Sequence, residues 1–275
     1  MTINCKGKLI DLSTPKVMGI LNLTPDSFFD GGKYKNEKSI LLRVEQMLTE
    51  GATFIDIGAY SSRPGAIHIS EEEEISRIVK IVILIIKKFP ESILSIDTFR
   101  SRVALECLEE GATIINDITS GEYDEKILSV AFKYNAPYIM MHMKGMPYNM
   151  QSKNDYNNLI KEIIFYFSKK IQLAKKYQLN DIIIDPGFGF SKNIEQNFEL
   201  LKNLNVFKNI NLPILVGLSR KSMIYKLLNT SPNEALNGTS VLNTIALSNG
   251  ASILRVHDIK EAIECIKIMN EFNKQ

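Results

Sequence analysis

Short apolar runs alternate with longer amphipathic stretches along the whole chain. The runs cover residues 17–22, 54–59, 93–97, 114–117, 138–142, 182–185, 214–218 and 253–257. They are apolar nearly throughout, which is how parallel strands covered on both faces read. Between them lie helical patterns at 38–50, 71–88, 101–110, 124–133, 155–177, 194–204, 220–228, 232–249 and 259–272. Gly51 and Gly111 close two of these, as C-terminal glycines commonly do. Ser101 reads as an N-cap. Glu71, Glu72, Glu73 and Glu74 open the 71–88 helix, whose apolar stretch Ile81-Val82-Ile83-Leu84-Ile85-Ile86 is far shorter than a membrane span.

Eight strand–helix units without a linker predict an α/β fold, a TIM (β/α)8 barrel forming one domain over 1–275, with residues 1–16 as a short hairpin closing its bottom. The competing arrangement is an open doubly wound sheet. It usually shows a Gly-rich turn after its first strand, whereas here that strand runs into Leu21-Asn22-Leu23-Thr24-Pro25-Asp26.

The strand ends are unusually polar: Asn22, the Ser61-Ser62-Arg63-Pro64-Gly65 loop, Asp97, Asn116-Asp117, His142, Asp185, Ser219-Arg220-Lys221, and Arg255 with His257. In a barrel they converge on one mouth, where active sites sit. Each has a simpler reading: Asp97-Thr98 fits a helix cap, Asn116-Asp117 an Asx turn, Asp185-Pro186-Gly187 an ordinary turn. Together they sort by chemistry. Asp97, Asn116 and Asp185 suit a ligand edge rich in N–H donors. Arg63, Arg220, Lys221, Arg255 and His257 supply the opposite sign, the last four after strands seven and eight, where barrels often bind phosphate.

Lys221 beside Arg220 favours charge or hydrogen bonding over a Schiff-base role. Arg220 also fits pairing with a neighbouring helix. His68 reads as a solvated loop residue, and His142, among Met140, Met141 and Met143, as a core histidine. No His or Cys spacing suggests a transition metal, whereas an oxygen-ligated Mg2+ bridging to phosphate fits.

Composition narrows the partners. Thirty-three basic and 31 acidic residues give a net charge of +2, so nothing calls for nucleic acid or a membrane surface. Three isolated cysteines and the lack of a signal-like apolar N-terminus suit the cytoplasm.

Several motifs resemble the dihydropteroate synthase family. They are Met18-Gly19-Ile20-Leu21-Asn22-Leu23-Thr24-Pro25-Asp26-Ser27-Phe28, Ser61-Ser62-Arg63-Pro64-Gly65-Ala66, Ser95-Ile96-Asp97-Thr98, Ile115-Asn116-Asp117, Met141-His142-Met143, Asp185-Pro186-Gly187-Phe188-Gly189-Phe190, Gly217-Leu218-Ser219-Arg220-Lys221-Ser222 and Arg255-Val256-His257-Asp258. The resemblance implies condensation of (7,8-dihydropterin-6-yl)methyl diphosphate with 4-aminobenzoate, giving 7,8-dihydropteroate and pyrophosphate in folate biosynthesis. It also implies Mg2+, a homodimer and sensitivity to sulfonamides. By the same resemblance Asp97, Asn116, Met141, Asp185 and Lys221 hold the pterin, and Asn22, Ser62, Arg255 and His257 the diphosphate, with Asn22 at the metal. Arg63, Pro64, Phe190 and Ser219 shape the 4-aminobenzoate pocket, and Asp30 and Arg63 complete the closed site. The implied catalytic set is Asn22, Asp30, Arg63, Lys221, Arg255 and His257.

Three positions depart from the family pattern: Tyr60 where a glutamate is common, Ser62 for threonine, and Phe29 beside Phe28. Two other functions are compatible with parts of the pattern. A pterin-binding methyltransferase barrel would share the Asp97, Asn116 and Asp185 pocket without needing the first-loop motif. A non-catalytic pterin-binding paralogue should have lost residues that this chain retains.

Overall fold

In a computed structural model, residues 1–23, 33–60, 68–146 and 149–274 are described. Asp30, Ser62, Arg63 and Pro64 lie outside them. Strands β1 (Thr2–Cys5) and β2 (Lys8–Asp11) pair antiparallel. Lys6 and Gly7 turn between them at positive φ, 52° and 85°, as a two-residue hairpin loop requires.

Eight parallel strands follow: β3 (Lys16–Asn22), β4 (Phe54–Gly58), β5 (Ile93–Asp97), β6 (Ile114–Asp117), β7 (Tyr138–Met141), β8 (Ile182–Asp185), β9 (Leu215–Val216) and β10 (Ile253–Val256). Their order is β8-β7-β6-β5-β4-β3-β10-β9, and a parallel bridge from Ile184 to Ile214 joins the two edges into a ring. The helices around it, among the described residues, are α1 (Lys33–Thr49), α2 (Glu71–Lys88), α3 (Ser101–Glu109), α4 (Lys126–Tyr134), α5 (Leu159–Lys176), α6 (Ile194–Lys202), α7 (Ser222–Tyr225), α8 (Leu236–Ser248) and α9 (Ile259–Phe272). This is the expected (β/α)8 barrel.

Side-chain alternation along each strand builds two cores. One set, including Leu21, Ile55, Ile57, Leu94, Ile96, Ile115, Val216 and Leu254, packs outward against helix residues such as Val44, Ile78, Val103 and Phe167. The other fills the barrel floor with Met18, Phe54, Ile93, Ile114, Ile139, Ile183, Leu215 and Ile253, capped by Ile3, Cys5, Ile10 and Leu12 of the hairpin segment. The hairpin therefore plugs the bottom, as predicted. Two residues further along each strand, on the same inward face, stand Ile20, Asp56, Ser95, Asn116, Met141, Asp185, Gly217 and Arg255. The ring above the floor thus carries Asp56, Ser95, Asn116, Asp185 and Arg255 where the floor is wholly apolar.

Some helix boundaries differ from expectation. Ser101 is not a cap: Arg100 holds that position without a side-chain bond, and Asp124 reaches across to accept from the Ser101 N–H at 2.9 Å. The 155–177 pattern starts as helix only at Leu159, capped by Asn158, which accepts from Lys161 N at 3.0 Å. The 220–228 pattern yields only the one-turn α7, because Arg220 takes φ +57° and Lys221 is extended. The 232–249 pattern breaks at Ala235 into a short 3-10 turn and α8.

Candidate active site

The mouth of the barrel is organised by the polar ring. Asp97 and Asn116 are register partners on β5 and β6, and Met141 and Asp185 on β7 and β8. Arg255 on β10 ties the ring together: its Nε donates to Asp56 at 2.6 Å and its Nη2 to Asp97 at 2.6 Å. Gly58 leaves room for this, since a Cβ there would come within 3.3 Å of the Asp97 Cβ. The guanidinium thus belongs geometrically to the acidic ring.

On the opposite side Asp185 caps its own turn, accepting from Gly187 N at 2.8 Å, so the turn and site readings hold together. Lys221 Nζ donates to the Phe188 carbonyl and lies 4.8 Å from the centre of the Phe190 ring. Two glycines make this loop possible. Gly187 sits at φ +73°, where a Cβ would fall 2.0 Å from the His142 carbonyl oxygen. Gly189 sits at φ +79°, where a Cβ would press on Lys221 Cδ at 3.0 Å. The Asp185-Pro186-Gly187-Phe188-Gly189-Phe190 motif is therefore a steric solution for bringing backbone against His142 and Lys221.

Burial sets the proton affinities. It pushes the Asp97 carboxyl up to about 7, opposed by Arg255 and reinforced by Asp56. It raises Asp185 too, opposed by Lys221. It pulls the Lys221 ammonium down to about 8, opposed by Asp185. Burial also works against the charge on Arg255, yet Asp56 and Asp97 outweigh it and hold that group protonated.

The remaining predicted residues fall around this cluster. Ser219 Oγ and His257 Nδ1 are 3.0 Å apart, and the His257 carbonyl accepts from Arg43 at 2.5 Å. Asn22 is half-buried at the end of β3. Met141 packs with Phe99, Ile118, Met143 and Met150, against which Tyr60 and Phe190 rest. Asn116 and Asp117 divide the two readings given to them. Asn116 faces inward, while Asp117 forms the Asx turn, accepting from Thr119 N at 2.7 Å, and takes the Tyr138 hydroxyl at 2.6 Å. Arg220 pairs with Asp258 through bonds of 3.1 and 2.6 Å, the helix-pairing role.

His142 is buried, as expected of a core histidine, with Lys192 Nζ at 3.0 Å from its Nδ1. His68 is exposed but partnered, which corrects its reading as merely solvated: its Nδ1 lies 3.1 Å from the Tyr60 hydroxyl, and its Nε2 lies 3.4 Å from Arg100 Nη2. Tyr60 also packs edge-on against Phe99 at 5.0 Å. Arg100 beneath them makes a buried ion pair with Glu74 at 2.6 Å. The departure at position 60 exchanges a charge for aromatic packing.

Two residues escaped the sequence reading. Asp56 is fully buried in the middle of β4, and Lys192 is buried with its Nζ on the carbonyls of Gly187 and Phe190, at 2.9 and 3.0 Å. Strand ends alone do not reveal Asp56. Counting inward positions by twos from Phe54 does.

A family model described as "Pterin binding enzyme" matches residues 18–257. The dihydropteroate synthase of Escherichia coli (strain K12) is 42% identical over 271 residues, covering 98% of this chain and 95% of that one. That of Haemophilus influenzae is 39% identical, covering 98% of each. A crystal structure of the Yersinia pestis dihydropteroate synthase in a sulfonamide drug complex superposes with a TM-score of 0.93 at 42% identity, covering 99% of both chains. The Xanthomonas albilineans dihydropteroate synthase with 4-aminobenzoic acid gives 0.92 at 30% identity, covering all of this chain (100%) and 98% of that one. A polar ring over an apolar barrel floor, the strand-end motifs in family order and this similarity over nearly the whole length agree: the chain belongs to the dihydropteroate synthase family of pterin-binding enzymes.

Proposed function

We propose that the protein condenses (7,8-dihydropterin-6-yl)methyl diphosphate with 4-aminobenzoate, releasing pyrophosphate and forming 7,8-dihydropteroate. The observation that carries this reading is a set of free acceptors beside a lysine. Asp97 Oδ1, Asn116 Oδ1 and Asp185 Oδ2 accept no protein hydrogen bond among the described residues, and the charge of Lys221, whose Nζ sits on the Phe188 carbonyl, acts on Asp185 without a direct ion pair. A pterin offers the matching edge of ring N–H and amino donors, with a carbonyl oxygen for the lysine. Met141 supplies an apolar wall.

4-Aminobenzoate brings a neutral amine, already nucleophilic at pH 7, so no Ser/His/Asp relay is required. Phe190 and Ser219 border its pocket, one against Lys221 and the other on His257, and Arg63 and Pro64 complete it. The demanding event is departure of pyrophosphate. His257, Arg255, Ser62 and Asn22 receive its charge, and Asp30 with Arg63 closes the site. Aimed donors of this type are worth about 10²–10³ in rate.

The Asn22 carboxamide is a hard oxygen donor with no side-chain bond among the described residues, so it fits Mg2+, which keeps several waters and binds through few protein ligands plus phosphate. When bound, the metal would neutralise charge on the leaving diphosphate.

The enzyme is further proposed to act as a homodimer in the cytoplasm. Val241 and Ile245 on α8, and Ile268 and Phe272 on α9, expose apolar surface at i,i+4 spacing on two helices that pack together. All three cysteines are free and buried, and among the described residues no helix is long and apolar enough to cross a membrane.

The test is a pyrophosphate-release assay with the dihydropterin diphosphate, Mg2+ and 4-aminobenzoate, with dihydropteroate identified by mass. Product that requires both substrates is expected. Folded protein that makes none sinks the assignment.

A further inference from the structure

The polar ring contains a carboxylate that no substrate role accounts for. Asp56 is completely buried at the middle of β4, flanked in register by Ile20 and Ser95. Its Oδ2 accepts from Asn116 Nδ2 at 3.0 Å and from Arg255 Nε at 2.6 Å. Among the described residues its Oδ1 has no partner, and neither has Ser95 Oγ on the neighbouring strand. The carboxylate caps no helix and supports no turn. Both of its bonds go to residues that face the proposed substrate, so its placement is explained by them alone.

Chemistry fixes what those two bonds do. An ionised carboxylate only accepts, so the side of the Asn116 amide that faces Asp56 must be the NH2 group. The flipped amide would set two oxygens against each other at the same separation. The ordinary ambiguity between amide oxygen and nitrogen is therefore removed by the partner. Asn116 keeps its Oδ1 and the second hydrogen of its NH2 for a ligand, and Arg255, with Nε on Asp56 and Nη2 on Asp97, keeps Nη1.

Resting on the pterin reading of the site, we infer that Asp56 is a positioning residue that sets the hydrogen-bond polarity of the pocket, holding the Asn116 oxygen toward the ligand and thereby selecting a heterocycle with an amino donor at that place. Without Asp56 the amide is free to turn its NH2 toward the ligand, opposing a ligand N–H. An isosteric amide at position 56 keeps the arrangement. Its oxygen takes the Oδ2 place toward Asn116 and Arg255, and its NH2 takes the unpartnered place beside Ser95.

The experiment is calorimetric titration of wild type, Asp56→Ala and Asp56→Asn with 6-hydroxymethyl-7,8-dihydropterin, with kinetics and thermal unfolding run alongside. Asp56→Ala is expected to bind about tenfold more weakly. Asp56→Asn should stay within about threefold of wild type, since hydrogen-bond count and shape are kept. The KM for 4-aminobenzoate should move less than about twofold in both, because neither change touches that pocket. Equal affinity in Asp56→Ala and wild type overturns the inference, and so does Asp56→Asn binding as weakly as Asp56→Ala. Wild type that binds no pterin removes the reading of the site itself, a distinguishable failure. Should Asp56→Ala not fold, 15N spectra of ligand-free wild type decide, with the Asn116 side-chain amide identified by its loss in Asn116→Ser. One protected, downfield-shifted proton is expected, and a rapidly exchanging pair overturns the inference.

Discussion

Lys221 shows how one backbone angle delivers a functional side chain. Arg220 at φ +57° breaks the helical run, its guanidinium is held by Asp258, and the next residue turns back to the Phe188 carbonyl. Neighbouring cations therefore have different jobs. Arg220→Ala is expected to cost about 1 kcal/mol in urea unfolding, the scale of a partly exposed ion pair, with little change in KM. A large rise in KM would contradict its purely structural role. Lys221 titrates instead. Its charge is lost as pH rises through about 8, and the Asp97 carboxylate is lost as pH falls through about 7. Both charged forms coexist best between those values, so kcat/KM for the dihydropterin diphosphate should be bell-shaped with limbs there. Lys221→Arg should remove the alkaline limb, because a guanidinium does not titrate in that range. An alkaline limb that persists in this variant would exclude Lys221 as its origin.

Elements were legible where one force dominated. The bounds of β5, β6, β8, α2 and α9 follow from apolar pattern alone, because each is buried on the side its pattern dictates. β9 shrinks to Leu215–Val216 although residues 214–218 are equally apolar, since Pro213 has no N–H to offer and Ile214 makes only an isolated bridge. The site was legible at strand ends and was missed at Asp56, which lies mid-strand, two residues beyond Phe54 on the inward face of β4, and meets Asn116 through a 3.0 Å bond. The loop from Asp185 to Phe190 was recognisable as a motif, but its reason is steric. Gly187→Ala would place a methyl 2.0 Å from the His142 carbonyl oxygen at a φ of +73°. It should destabilise by more than about 2 kcal/mol in urea unfolding, well beyond an ordinary Gly→Ala change. A stabilised variant would show that the loop does not need this approach.

At the scale of the molecule, the barrel separates folding from chemistry along its axis. The floor is apolar and plugged by the hairpin, so the polar ring above it needs no contribution to the core and is free to carry buried charge. The outer ring adds a third layer. α7 begins at Ser222, next to Lys221, and α9 at Ile259, close behind His257. The helices that start at the cationic side of the mouth thus include one whose outer surface is apolar, and α8 beside α9 shares that surface. If that surface is the homodimer interface, assembly braces the cationic side without lending residues to it, and association and ligand binding are separable. Wild type should then sediment at twice the 31.1 kDa chain mass. The double variant Val241→Glu with Ile268→Glu should sediment as a monomer, since two charges would have to be desolvated on each side of a C2 contact. The monomer should still bind the dihydropterin within about threefold of wild type, because every described site residue lies inside one barrel. Wild type at the single-chain mass would remove the dimer proposal, and a dissociated variant that loses pterin binding would show that the two layers are coupled.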